Sequence, residues 1–316
     1  MFSQFFIIFA LMAIGYSCCK KGWLNKASIA GIGNILINVS VPALMLSGIF
    51  GLNIGADIMV EFVTMSMLSI GVFMLFSILA AIYVRLRDIP VNAKGVIQLF
   101  LLSTNNGFIG LPIAVTFFGQ KGLFLMIANN LVMNIILFSY GVVLLKKKAE
   151  KVTETRYPQL LYLRLKQIMN PCVFSIILGL TLGIFGLTQY VPEPIKLLLE
   201  SIGNLAMPLS MMYIGSMLYG SKLPRLLHDR LVVEACIVRS TILPLITYIF
   251  LIMFNISAMM SQIIFLATML PCAAIIPILA AEDGNVIEES SKLVLLSTLI
   301  SLITMPIGVF LASNIF

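Results

Sequence analysis

Between residues 95 and 118 an apolar run is interrupted by Ser103, Thr104, Asn105, Asn106, Gly107, Gly110 and Pro112. Hydrogen-bonding side chains are mixed here with the two residue types that most readily open a helix. Proline removes an amide donor and collides with the preceding turn, and glycine lowers the cost of leaving helical geometry. A second interruption, poorer in polar side chains, falls at Thr268, Pro271, Cys272 and Pro277. Where two such breaks cross, the opened halves present amide groups and the positive end of a helix dipole on one side and carbonyls on the other. That arrangement suits an anion, and its carbonyls suit a coupling cation. The plainer alternative is a pair of proline kinks whose freed backbone groups are satisfied by nearby Ser and Thr side chains.

Three asparagines follow, Asn129, Asn130 and Asn134. The four-residue step from Asn130 to Asn134 places those two on one helix face, either lining the site or hydrogen bonding between helices. Arg239 lies about 13 Å into an apolar run, where an ionised side chain costs about 2.5–3.5 kcal/mol. Two roles fit it: countercharge for an anionic substrate, or partner of Glu234 or of backbone carbonyls, although a five-residue spacing is poor for a same-face pair. Asn38 and Ser40 before Pro42, and Asn204 and Ser210 around Pro208, suit packing or hinge roles better than ligand contact. Asp57 and Glu61 read as interfacial charges, and Glu282, Asp283, Glu288 and Glu289 as a solvated turn.

The elements that must position these groups are set by composition. Of 316 residues, 60% are hydrophobic and 10% charged, against about 45–50% and about 25% in soluble domains. No water-soluble core hides that much apolar surface. A helix crossing needs about 20 apolar residues, and ten runs qualify: 3–19, 30–51, 60–84, 95–118, 122–145, 170–188, 197–219, 231–254, 259–281 and 291–314 (spans 1 to 10). Ser240 to Ala281 carries no charge and is about twice the length of one crossing, so it folds back, with Asn255-Ile256-Ser257 as the expected turn. The fold class is therefore an all-α integral membrane protein of ten transmembrane helices.

Charge sets the orientation. With both termini extracytoplasmic, 17 of the 20 Lys and Arg residues fall in inner loops; Lys121 and Lys196 lie outside and Arg239 within a span. This positive-inside bias accounts for the net charge of +7 without a nucleic-acid partner. The five cysteines form no CxxC and there is one histidine, His228, so metal, haem and disulfide chemistry are poorly supported and no cofactor is expected. Nor does any nucleophile and base pair mark an enzyme.

A basic linker at 146–166 divides the chain into five spans at 1–145 and five at 167–316. An odd number per half inserts the halves in opposite orientation, the inverted-repeat plan of secondary transporters. Internal similarity falls in matching places: Ile32-Gly33-Asn34 and Pro42 in span 2 against Ile202-Gly203-Asn204 and Pro208 in span 7. Leu111-Pro112-Ile113 likewise matches Ile276-Pro277-Ile278, making the broken, crossing helices spans 4 and 9.

The run Asn105-Asn106-Gly107-Phe108-Ile109-Gly110-Leu111-Pro112-Ile113, followed by Phe118-Gly119, resembles the auxin efflux carrier family in its small bacterial permease form, and more distantly the bile-acid sodium symporters. In the second break Pro271 stands where Asn106 stands in the first. The resemblance implies a scaffold domain (spans 1, 2, 6 and 7) and a transport domain (spans 3–5 and 8–10) moving as an elevator around the crossover. It also implies small organic anions, carboxylates such as malonate or malate, as substrates. H+ and Na+ are the candidate coupling ions, the lipid bilayer of the cell membrane is the setting, and a homodimer is a candidate assembly. The competing expectation is a membrane sensor that binds an organic anion without moving it.

Overall fold

The computed structural model describes residues 2–145, 169–219, 227–254, 256–282 and 287–315. The linker at 146–166, the turn residue Asn255 and Asp283 of the acidic turn lie outside them. Every regular element among the described residues is helical: α1 (Phe2–Lys20), α2 (Lys26–Phe50), α3 (Ala56–Leu86), α4 (Val91–Leu102), α5 (Leu111–Ile136), α6 (Val142–Leu145), α7 (Pro171–Ile184), α8 (Glu193–Leu218), α9 (Arg230–Met253), α10 (Ala258–Met269), α11 (Ile276–Glu282) and α12 (Ile287–Ile315).

Among the described residues seven segments are long and apolar enough to cross a membrane: most of α1 and α12, the whole of α2, α3, α8 and α9, and the 55-residue stretch Val91–Leu145. The shortfall from ten has local causes. At 1.5 Å per residue that stretch would be about 82 Å long, far beyond a hydrocarbon core of about 30 Å. It reverses instead. A Cβ built at Gly95 would sit on the Leu144 carbonyl, and one at Gly141 would meet Leu99, which fixes α4 and α6 as antiparallel neighbours. The helix leaves regular geometry at Gly119, whose φ of 66° is the left-handed region that favours glycine. The expected spans at 170–188 and 259–281 contain only 14- and 12-residue helices, α7 and α10, about 21 and 18 Å long. Gly186, left-handed with φ 65°, lies just past the end of α7, and Leu270, extended with ψ 152°, ends α10.

Prolines shape three of the helices in one way. Wide π-helical turns occupy Leu36–Ser40, Asn106–Gly110, Leu137–Gly141 and Val238–Ile242, and all but the third are followed two residues later by a proline: Pro42, Pro112 and Pro244. In a regular helix each ring would collide with the carbonyl four residues back, at Asn38, Phe108 or Ser240, the middle residue of the wide turn. Widening the turn moves that carbonyl aside. Pro306, inside α12, has no such turn before it.

The chain forms two compact units. Unit 1 comprises Met1–Ser66, Asn106–Leu131 and Pro171–Ser221. Here α1 lies antiparallel to the second half of α8 at backbone distance: a Cβ at Gly15 would strike the Met212 carbonyl, and one at Gly215 the Met12 carbonyl. Small residues allow such approach where lipid removes the hydrophobic drive between helices. α2 and α8 are also antiparallel, with Gly33 against Tyr213 at one end and Gly203 against the Leu44 backbone at the other.

Unit 2 comprises Met67–Asn105, Val132–Asn170 and Lys222–Phe316. In it α12 packs on α4, α9, α10 and α11. Its buried serine and threonine side chains, Ser290, Ser297, Thr298 and Ser301, form a polar stripe along the helix. In both units apolar side chains also cover outward faces; Phe6, Met67, Met74 and Phe310 are each more than half exposed. That is costly in water and ordinary in lipid.

Candidate functional site

Within unit 2 the two interruptions lie side by side. α4 ends at Leu102, with Ser103 extended (φ −85°, ψ 149°), and α10 ends at Met269, with Leu270 extended (φ −67°, ψ 152°). The extended stretches pair across the gap. The Asn105 amide donates to the Pro271 carbonyl at 2.9 Å. The Ala273 amide donates to Ser103 Oγ at 3.4 Å. The Cys272 amide donates to Ser297 Oγ at 3.4 Å, with the Cys272 thiol 3.3 Å from the same oxygen. The Thr104 amide faces Met133 Sδ at 3.3 Å, a weak acceptor. Backbone groups released by a helix break in lipid need such partners, since each unsatisfied one costs several kcal/mol.

Arg239 joins the two breaks. Its side chain is 2% exposed. Nη1 donates to the carbonyls of Phe100 (3.0 Å) and Leu101 (3.1 Å), and Nη2 donates to the carbonyl of Leu270 (3.1 Å). The guanidinium carbon also stands 5.6 Å from the Phe100 ring centroid, within cation–π range. The first two acceptors are last-turn carbonyls of α4 and the third caps α10, so one guanidinium closes the C-terminal ends of both half-helices. Of the alternatives weighed for Arg239, the structure realises the one with backbone carbonyls. Glu234 is engaged elsewhere, 3.0 Å from Arg230 and 3.3 Å from Arg87. The wide turn Val238–Ile242 holds Arg239 in place.

The other predicted residues fall as follows. In unit 2, Thr268 bonds back to its own helix at the Phe265 carbonyl (2.7 Å), and Pro277 lies one residue into α11. Asn134 accepts from Asn170 Nδ2 at 3.4 Å. In unit 1, Asn106 Nδ2 donates to Asn129 Oδ1 at 2.6 Å, and both side chains are almost fully buried. A Cβ at Gly107 would come within 4.0 Å of Asn130 Oδ1. Gly110 is buried, and the Pro112 carbonyl accepts from Thr116 Oγ1 at 2.7 Å. Glu61 pairs with Lys121 at 2.8 Å, as suits an interfacial charge.

Sequence reading alone underrated Asn129 and missed Ser297. Asn129 pairs with Asn106 because the chain reverses near Gly119, a reversal that helix periodicity does not report. Ser297 was signalled only by the polar stripe of α12.

These are the parts of a membrane carrier: two helices opened at one level, their polar backbone gathered in a buried setting. A family model described as membrane transport protein matches residues 1–309. The chain belongs to this family, that of the auxin efflux carriers. The carrier is also similar to an uncharacterized transporter of Methanothermobacter thermautotrophicus, 20% identical over 300 residues that cover 95% of this chain and 94% of the relative. It is thus an integral membrane transport protein.

Proposed function

We propose that this carrier is a secondary transporter of small organic anions, carboxylates in particular, with its substrate site where the broken helices α4 and α10 pair. The observation that carries the reading is the antiparallel pairing of the two extended breaks through Asn105 and Pro271. Buried polar side chains at the first break within unit 2, Ser103, Thr104 and Asn105, supply the donors for a carboxylate. The antiparallel contacts of α2 with α8, the spans matched by internal similarity, support ten crossings as two inverted repeats. One compact unit holds α1, α2, α7 and α8 and the other α4, α6 and α9 to α12, with α3 and α5 divided between them; the grouping of α9 to α12 with α4 supports an elevator in which unit 2 carries the site and unit 1 is the scaffold. The setting is the cell membrane, with both termini extracytoplasmic.

Purified carrier in proteoliposomes loaded with unlabelled dicarboxylate is expected to take up the labelled compound by exchange, malonate and malate being the first members of the panel. Asn105→Ala is expected to lower that exchange at least about tenfold. Saturable binding without exchange for every member would replace the carrier reading with that of a sensor.

A further inference from the structure

We propose that Arg239 is a resident cation, occupying between the two half-helices the position that an alkali cation would take in an ion-coupled carrier, so that the crossover holds together without Na+. This deepens the transport reading and shares its site, but it rests on separate observations. The carbonyl ends of broken membrane helices are where coupling cations bind, because several carbonyls converge there at the negative ends of helix dipoles. Here three such oxygens, on Phe100, Leu101 and Leu270, point at one guanidinium. Each already accepts an N–H at 3.0–3.1 Å from Arg239.

Charge arithmetic favours the same assignment. Each half-helix ends in about −0.5 of an elementary charge, so α4 and α10 together offer about −1. One guanidinium balances that, and no carboxylate among the described residues is paired with Arg239. An added Na+ would bring a second positive charge to a position already balanced. Shape matters as well as charge. The planar fork reaches both helix ends at once, whereas a lysine ammonium is a point charge on a flexible stem. The side chain is a positioning residue: it fixes the separation of the two breaks, and through them the groups facing the substrate.

The test needs no substrate, which separates its failure from failure of the transport reading. Thermal unfolding of detergent-solubilised carrier is followed in choline, Na+ and about 10 mM guanidinium. Wild type is expected to melt at the same temperature in all three. Arg239→Ala is expected to melt several degrees lower and to recover at least about 2 °C in guanidinium, as a vacancy refilled by the free ion. Arg239→Lys is expected to fall between them. A saturable rise of the wild-type transition with Na+ would overturn the proposal, as would an alanine variant that melts with wild type or gains nothing from guanidinium. If the alanine variant yields no folded protein, the lysine variant decides, and its melting with wild type would be equally fatal.

Discussion

A buried amide pair such as Asn106 and Asn129 lives or dies by its geometry. The 2.6 Å bond between them ties the start of the wide turn after the first break to the middle of α5. Interhelical hydrogen bonds of this kind contribute about 0.6 kcal/mol on average and up to about 1.7 kcal/mol, because the unfolded chain in the membrane finds other partners. Asn106→Ala and Asn129→Ala are therefore each expected to lower the melting temperature by a few degrees. The double variant should lose less than the sum of the two, since the bond between them is already gone when the second substitution is made. Strict additivity in that cycle would mean that the pair contributes nothing. At this scale the sequence identified Asn106 and Arg239 as groups with a task. It left the task of Arg239 open, because three carbonyls from two helices converge on it only after residues 100, 101 and 270 have been folded together. The type of a residue announces that it needs partners; distant backbone supplies them.

Helices and their interruptions were more legible than their lengths. The apolar runs fall on the seven segments long and apolar enough to cross a membrane among the described residues; the break at Ser103–Pro112 was visible as glycine and proline among polar residues, and that at Pro271–Pro277 by its two prolines. What periodicity could not express was the form of the interruption. In α9 the sequence shows only Pro244, yet the structure answers it with the wide turn Val238–Ile242 that carries Arg239. The link is mechanical: the turn widens to move the Ser240 carbonyl away from the proline ring. Pro244→Ala restores an amide donor to residue 244, so the turn can tighten to regular helix and rotate Arg239 by about 100° against the segment that follows it. We expect such a variant to keep its helical circular dichroism while losing at least about tenfold in anion exchange. Pro306→Ala, at a proline with no wide turn before it, should stay within about twofold of wild type. Equal effects at the two positions would show that the wide turn is incidental to function.

For the whole molecule, the number of crossings decides which side each end faces. Among the described residues seven segments meet the requirement by length and composition alone. The 55-residue stretch Val91–Leu145 doubles back, since α4 and α6 are antiparallel. The two shorter helices, α7 and α10, each need continuation beyond their regular part to complete a crossing. On the proposed reading of ten crossings, an even number, both termini would lie on one face and the basic linker at 146–166 on the other. The charge distribution selects which face, because translocating a lysine- or arginine-rich loop is disfavoured and 17 of the 20 basic residues lie in the loops assigned to the inside. An epitope tag at either end of the chain is thus expected to bind antibody on intact spheroplasts. Trypsin should cleave within 146–166 only when it is admitted to the cytoplasmic side. If one tag proved accessible from outside and the other only after permeabilisation, the number of crossings would be odd. The two halves could not then be five-span repeats of opposite orientation, and the antiparallel contacts between α2 and α8 would need another origin.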